Sequence, residues 1–528
     1  MRVIHLVICA AQFMLASGYI LLTALNENDI GFISEAANYI AARGLECSVL
    51  IPLTAKDLMD PNDKVTVITF KNEVDLSEFS EEDYSAPVPQ TEVEMLLKSC
   101  ENLVKEKSVV ELLLKNPPTT AIFPSFLQDA CVLPLVAYLN SRLTKTTNEK
   151  KITTFVWSSN YLSDSWVYYH LTSSIIPENE MESGTYSRFK SFVNWWLFVR
   201  EIHGNYVDPA TRIVESNLEN FDSYLGYAPP SLSELYENRV NLTLVSTHPM
   251  FTPPTPLALG ISPLTVNIGC FHCRPATALP KELEEHVNKY KSGAVVIELD
   301  FKFKIPEVVK KAVIELSKNL PFSVFWQRAS RNPSEEIKDS GLPENLFVGK
   351  NLPLQDLLGH PRSRIFVSRC SMDSVLIATY HGVPIICLPG THFDESVASF
   401  VEKHGIGVIL PRKTITGMLL FKAISEVTND VSFRGIARHL AETLRDQPET
   451  PGDRLIFAIE NLERHRDHRH YSQVKKQNFI STHYWDVCIA LTLVAVLFFS
   501  VLGCGICFLF QSFSHHSETL NTSSKKII

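Results

Sequence analysis

The sequence has no excess of positive charge: 49 Lys and Arg stand against 58 Asp and Glu, a formal net charge of −9. A nucleic-acid partner, which calls for a basic face, is thereby excluded. Cysteine is sparse as well, with 11 in 528 residues. Cys9 falls in an N-terminal apolar run, and Cys488, Cys504 and Cys507 fall in a C-terminal one. That leaves Cys47, Cys100, Cys131, Cys270, Cys273, Cys370 and Cys387. An odd number so scattered does not read as a disulfide framework. Cys270-Phe-His-Cys273 lacks a second ligand pair at zinc-finger spacing, so no metal is expected. Charge is missing altogether from Val487 to Phe510, and these 24 positions are enough to span a bilayer core of about 30 Å.

What is present points the same way at both ends. Met1-Arg2, the apolar run Val3–Leu15 and the small residues Ala16-Ser17-Gly18 read as a cleaved secretory signal. The alternative is a buried first strand running from Val3 to Leu25. The chain closes on Lys525-Lys526-Ile527-Ile528, the form of a retrieval address for the endoplasmic reticulum or of a plain cytosolic anchor. The expectation is a type I single-pass protein of that membrane with its main body in the lumen. Arg464-His-Arg-Asp-His-Arg-His470 and Lys475-Lys476 run against the positive-inside bias, but a cleaved signal fixes orientation earlier.

At this length one core is too few. Apolar runs predict strands at Tyr19–Leu25, Glu46–Ile51, Val65–Phe70, Thr120–Phe123 and Thr153–Trp157, with a helix from Ile33 to Arg43 ending at Gly44. Phe251-Thr-Pro-Pro-Thr-Pro256 is the best linker. A second series follows: Leu264–Ile268, Ala294–Leu299, Phe322–Trp326, Arg364–Val367, Pro384–Leu388 and Gly407–Leu410. Strands alternating with helices give parallel sheets. The aromatic-rich stretch 160–200 suits a lipophilic pocket lining, a surface resting on the membrane or ordinary helix core. Asn241-Leu-Thr243 is a glycosylation sequon, usable if exposed.

Three further segments carry a family likeness: Asn267-Ile-Gly-Cys-Phe-His-Cys-Arg-Pro-Ala276 followed by Leu279-Pro-Lys-Glu282, then Asp356-Leu-Leu-Gly-His-Pro361, then Tyr380-His-Gly-Val-Pro384. In this order, ahead of an apolar span, they resemble the UDP-glucuronosyltransferases of the UDP-glycosyltransferase family. The match is strongest in the second half and at the membrane end. The resemblance implies an α/β fold of the GT-B type, two Rossmann-like domains facing a cleft plus one C-terminal transmembrane helix. The segments expected are a signal (1–18), an acceptor-binding domain (19–255), a UDP-sugar-type domain (256–455), a basic helical return segment (456–486), the span (487–510) and a cytosolic tail (511–528). It also implies inverting sugar transfer from a UDP-sugar, a donor substrate and not a cofactor, to small lipophilic acceptors. Homo- or hetero-oligomers with other transferases are a further expected partner class.

Such transfer needs a base for the acceptor proton and donors that hold the diphosphate as charge grows on the leaving oxygen. Against the family pattern, the base His falls on Asp29 and its partner Asp on Phe126, with Asp129 three residues late as a doubtful substitute. The diphosphate turn reads Ser368-Arg369-Cys370-Ser371, without its His and both glycines. The uracil-facing Trp and Gln are Asn351 and Leu354, the ribose Glu is Ile377, and a Gly-Ser turn is Asp300-Phe301. Of an Asp-Gln pair at the sugar only Asp394 remains, followed by Glu395. The candidate site therefore comprises Asp29 and Asp129 for catalysis, with Trp326, His360, Ser368, Arg369, Asp373, Asp394 and Glu395 toward the donor. Trp326 at a strand end is more often core than a stacking platform, and His360-Pro361 also suits a turn. The replaced positions together favour an impaired or inactive member. The alternative is an active enzyme with altered donor use, Asp29 acting as the base and Arg369 clamping the diphosphate.

Overall fold

The computed structural model describes residues 19–25, 29–59, 62–71, 90–124, 128–146, 152–158, 203–217, 240–251, 265–299, 307–327, 342–349, 352–390, 392–465 and 489–507, with isolated positions between. The candidate signal, Phe126, Asp300-Phe301, Asn351, most of the stretch 160–200, the basic run beyond 465 and the tail lie outside the described residues.

Seven parallel strands make the first sheet: β1 (Ile20–Thr23), β2 (Cys47–Pro52), β3 (Val65–Phe70), β4 (Thr120–Pro124), β5 (Thr153–Ser158), β6 (Val240–Val245) and β7 (Thr265–Asn267), in the order β3-β2-β1-β4-β5-β6-β7. Ile20 lies opposite both Cys47 and Thr120. Six parallel strands make the second: β8 (Ala294–Glu298), β9 (Ser323–Gln327), β10 (Leu346–Gly349), β11 (Ser363–Ser368), β12 (Ile385–Cys387) and β13 (Gly407–Ile409), ordered β10-β9-β8-β11-β12-β13. Their apolar runs are uninterrupted because helices cover both faces, which gives each sheet two buried layers. The first sheet is flanked by α1 (Ile30–Ala42), α2 (Gln90–Lys105), α3 (Lys107–Lys115), α4 (Asp129–Thr146) and α5 (Asp208–Asn217). The second carries α6 (Lys281–Lys289), α7 (Glu307–Asn319), α8 (Leu354–Gly359), α9 (Met372–Tyr380), α10 (His392–Lys403), α11 (Gly417–Asn429) and α12 (Val431–Arg445).

One strand expectation is corrected. The run near Leu264 was expected to open the second series, but Val266 pairs with Leu244 and makes β7 the last strand of the first sheet. The change of sheet therefore follows Asn267 and not the prolines at 253–256. The sequon is likewise no exposed loop. Asn241 sits half-buried in β6, its Oδ1 accepting from Thr154 N at 3.0 Å, and Thr243 is wholly buried.

The chain then crosses back. Thr450 caps α13 (Pro451–Arg464), its Oγ1 accepting from Asp453 N at 3.1 Å, with Pro451 at the first helical position. Leu455, Ile459 and Leu462 are buried in the core beneath α1, and Glu463 accepts from Thr119 and Thr120 at 3.1 and 3.2 Å. Arg43 pairs with Asp453 from the other side. The expected boundary at 455/456 thus falls inside one continuous helix.

The segment from 469 onward forms a separate unit, of which α14 (Ile489–Cys507) is described. Its 19 residues have a mean hydropathy of 2.6. At 1.5 Å per residue it is long enough for a hydrocarbon core.

One contact set ties the segment after β7 to the second sheet. Asp356 on α8 accepts from both Arg274 Nη atoms at 2.7 and 2.9 Å and from Thr277 N and Oγ1 at 2.7 and 3.0 Å. Arg274 above all holds the Asp356 carboxyl down at about 2. Nearby, burial first, then the Arg445 and Arg274 charges, push the His381 imidazole down to about 4.

Two outcomes follow from this packing. Ile459→Ala should destabilise the first sheet's domain by roughly 2–5 kcal/mol, the range for a large side chain removed from a full core; hydrogen exchange would speed up in α1 and β1 as well as α13. Loss confined to α13 would mean that the helix does not hold the domain. His381 is protonated in the unfolded chain at pH values where the folded chain refuses the proton. Stability should be full above about pH 6.5 and decline toward pH 4, a window distinct from that of Asp356, whose contribution is lost only below about pH 4. His381→Gln should flatten the decline in a pH series of unfolding midpoints, and an unchanged slope would acquit the imidazole.

Candidate active site

In doubly wound sheets ligands gather at the carboxyl ends of the strands where the strand order reverses. Here those points are β1/β4 in the first sheet and β8/β11 in the second.

At the first, Asp29 stands at the N-cap of α1 without capping it. Gln128 Nε2 donates to Asp29 Oδ2, and Gln128 Oε1 accepts from Leu25 N at 2.7 Å. The amide bridges the loops after β1 and β4 and fixes the carboxylate. Asp129 does not take this place. It is fully buried in the first turn of α4, accepting from Ala130 N at 2.9 Å, and its charge adds to the burial that raises the phenol of Tyr206 well above its ordinary range. Among the described residues the side chain on Asp29 is therefore that of Gln128, one residue before Asp129, and it is neutral. Gln can orient the carboxylate by donating to it, and Asp29 becomes neutral when it takes a proton, so no charged partner is needed.

At the second, β11 ends at Ser368, whose Oγ accepts from Cys370 N at 3.1 Å. Cys370 has φ 63°, the one non-glycine among the described residues with positive φ. A side chain there is strained where glycine is not. A disulfide to Cys387 at the end of β12 clamps the turn. Arg369 Nε lies 3.1 Å from Asp394 Oδ2, a close ion pair without hydrogen-bond alignment, and the same oxygen accepts from Gly390 N at 3.2 Å. Arg369 and Asp394, expected at the diphosphate and the sugar respectively, hold each other. A side chain at Gly390 would meet Arg412 and Arg369, both of which cross it closely.

The amino end of α9 carries its own anion. Ser371 Oγ accepts from Ser374 N at 3.3 Å, and Ser374 Oγ donates to Glu298 Oε2 at 2.8 Å. Glu298 is the last residue of β8, so the strand delivers a carboxylate to the helix end where such folds hold phosphate. Across the cleft, Glu35 on α1 is raised by desolvation while the charges of His272 and Arg274 pull it back. His272 Nε2 in turn lies 3.4 Å from the Asp373 carbonyl oxygen and 4.0 Å from its exposed carboxylate.

The remaining expectations fare unequally. Trp326 is fully buried in the core of the second sheet and presents no face to a nucleotide. His360 precedes β11, at the opposite edge from the switch point, where it pairs with Glu284 at 3.4 Å and accepts from Arg362 N at 3.2 Å. Ser368 is buried and bonded within its turn, Asp373 faces His272, and Glu395 is exposed beside Asp394 on α10. Gln128 and Glu298 were missed. Glu298 had one signal, a lone acid closing an apolar strand. Gln128 had only its place beside Asp129.

The cysteines correct a further expectation. Cys100–Cys131, Cys270–Cys273 and Cys370–Cys387 are disulfides, which leaves Cys47 as a buried thiol pushed up to about 12 by desolvation. Spacing concealed the framework because helix and strand crossovers join positions 31 and 17 apart. Cys270, His272 and Cys273 are the one group among the described residues close enough for a metal, but the two sulfurs are bonded to each other.

Comparison with known proteins agrees with this architecture. A profile described as UDP-glucoronosyl and UDP-glucosyl transferase matches residues 48–518. Human UDP-glucuronosyltransferase 2A3 is 31% identical over 256 residues, covering 48% of this chain and 46% of the relative. Human 2-hydroxyacylsphingosine 1-beta-galactosyltransferase is 30% identical over 247 residues, 46% and 44% of the two chains. The chain thus aligns with about half the length of these relatives. Among solved structures, the calicheamicin glycosyltransferase CalG4 superposes with a TM-score of 0.57 at 16% identity over 85% of this chain and 99% of its own. A UDP-glucose: anthocyanidin 3-O-glucosyltransferase in complex with UDP gives 0.57 at 14% identity over 85% and 99%. Two parallel sheets of Rossmann type, followed by an apolar helix, are the GT-B arrangement, and the chain belongs to the UDP-glucoronosyl and UDP-glucosyl transferase family.

Proposed function

We propose that this chain is a family member whose donor site excludes the UDP-sugar, and that it retains the scaffold to bind small lipophilic molecules or to pair with active transferases in the endoplasmic reticulum membrane. The observation that carries the reading is Glu298 at the amino end of α9, where the donor diphosphate would sit. Two like charges about 4 Å apart at a partly exposed site repel by roughly 4 kcal/mol, near a thousandfold in affinity. A charged hydrogen bond from Arg369 would return about 1.5–3 kcal/mol, and Arg369 already neutralises Asp394. Repulsion therefore wins. Three disulfides in the body favour an oxidising compartment such as the lumen, with α14 as the membrane anchor.

A second reading keeps catalysis. It rests on Asp29, which Gln128 holds at the first switch point as a base would be held. In that case the acceptor hydroxyl gives its proton to Asp29 while its oxygen bonds to the anomeric carbon, and the bond to the diphosphate breaks in line with its electron pair leaving on UDP.

Thermal unfolding of the full chain in detergent, with UDP, UDP-glucuronate and UDP-glucose in turn, separates the readings. No shift is expected with any of them, whereas a ligand at a hundred times its Kd would add about 2.7 kcal/mol and overturn the proposal. Glu298→Gln should recover measurable UDP binding. Turnover of a phenolic acceptor, abolished by Asp29→Ala, would establish the second reading instead.

A further inference from the structure

The three disulfides differ in one respect that chemistry can use. Cys100, Cys131, Cys370 and Cys387 are each 0% exposed, so no incoming thiol reaches them in the folded chain. Cys273 is partly exposed, while its partner Cys270 is buried at 5%. The buried sulfur has a neighbour: His272 Nε2 lies 3.5 Å from Cys270 Sγ and Nδ1 lies 3.9 Å away. Thiol–disulfide exchange needs an accessible sulfur to attack and a leaving thiolate that the surroundings accept. This segment supplies both in four residues.

We propose that Cys270–Cys273 is an exchange-active disulfide that accepts electrons from small-molecule thiols of the glutathione class. The incoming thiolate attacks Cys273 Sγ, forming a mixed disulfide, and the Cys270–Cys273 bond breaks with its electron pair on Cys270. His272 donates a ring N–H to that thiolate, and a proton from solvent completes the thiol. A second small thiolate attacks the sulfur of the adduct, releasing the oxidised small-molecule disulfide and freeing Cys273. Two thiols are oxidised and one protein disulfide is reduced.

The position of the pair gives exchange a structural consequence. Phe271, between the two cysteines, packs edge-on against Phe32, Tyr39 and Trp157 of the first domain at centroid distances of 6.0, 5.8 and 5.5 Å. On the other side, Gln355 of α8 donates to the His272 carbonyl at 2.6 Å and accepts from Arg274 N at 2.8 Å. The disulfide therefore closes the segment that is gripped by both sheets. Its reduction removes a covalent constraint from the connection between domains, whether or not a donor binds.

The test equilibrates the full-length protein in detergent across a series of reduced-to-oxidised glutathione ratios, quenches with acid, and maps thiols by isotope-coded alkylation and mass spectrometry. Cys270 and Cys273 should become reduced together under native conditions while the other two disulfides stay oxidised. Rapid quenching should place the glutathione adduct on Cys273, and Cys270→Ser should trap it there. His272→Gln should slow exchange by about a hundredfold, the lower side of what a positioned proton donor contributes. A pair that stays oxidised until the chain unfolds would overturn the proposal. An adduct on Cys270 would overturn the order of attack, and an unchanged His272→Gln rate would remove the imidazole from it. The adduct map on the unsubstituted protein stands on its own if Cys270→Ser does not fold.

Discussion

A helix whose amino end opens onto the carboxyl edge of a parallel sheet presents unpaired amides and a partial positive charge to one place. That constraint shapes the second domain of this protein. The charge at α9 is met from within by Glu298, through Ser374, and by the capping hydroxyl of Ser371. Beside it Arg369 turns to Asp394, so that both charges are balanced locally. The turn holds Cys370 in a backbone conformation that favours glycine.

The scaffold is independent of these changes. Each sheet is buried on both faces, and α13 crosses back to seal the first domain with Leu455, Ile459 and Leu462. A two-domain frame of this kind keeps its shape because burial of apolar surface, and not the polar groups at the switch points, supplies most of its stability. That is why solved glycosyltransferases with 14–16% identity superpose on it.

Much of this frame was legible in the sequence, and the failures have physical causes. Strands with unbroken apolar runs, such as Cys47–Pro52 and Val65–Phe70, announce themselves. β6 did not, since its Val-Asn-Leu-Thr start reads as an exposed sequon, and β10 is only four residues long. β7 was assigned to the wrong sheet because proximity in sequence to the linker says nothing about which edge a strand joins. At the site, Asp29, Arg369 and Asp394 were found because they occupy positions with a recognisable pattern. Which of them pair with what was not legible. Gln128 lies 99 residues from Asp29, and Asp394 lies 25 from Arg369, separations that only topology closes.

The turn at Cys370 shows how local strain and covalent structure compensate each other. A non-glycine residue held at φ 63° costs of order 1 kcal/mol or more and persists only where its surroundings leave no alternative. In a nucleotide-binding turn a bound phosphate helps to impose the conformation. Here the Cys370–Cys387 bond and the Ser368 hydroxyl impose it permanently, from residues on adjacent strands. A turn fixed in this way takes its shape from the chain's own covalent and hydrogen-bonded structure, so the strain at Cys370 is held by neighbours on both strands.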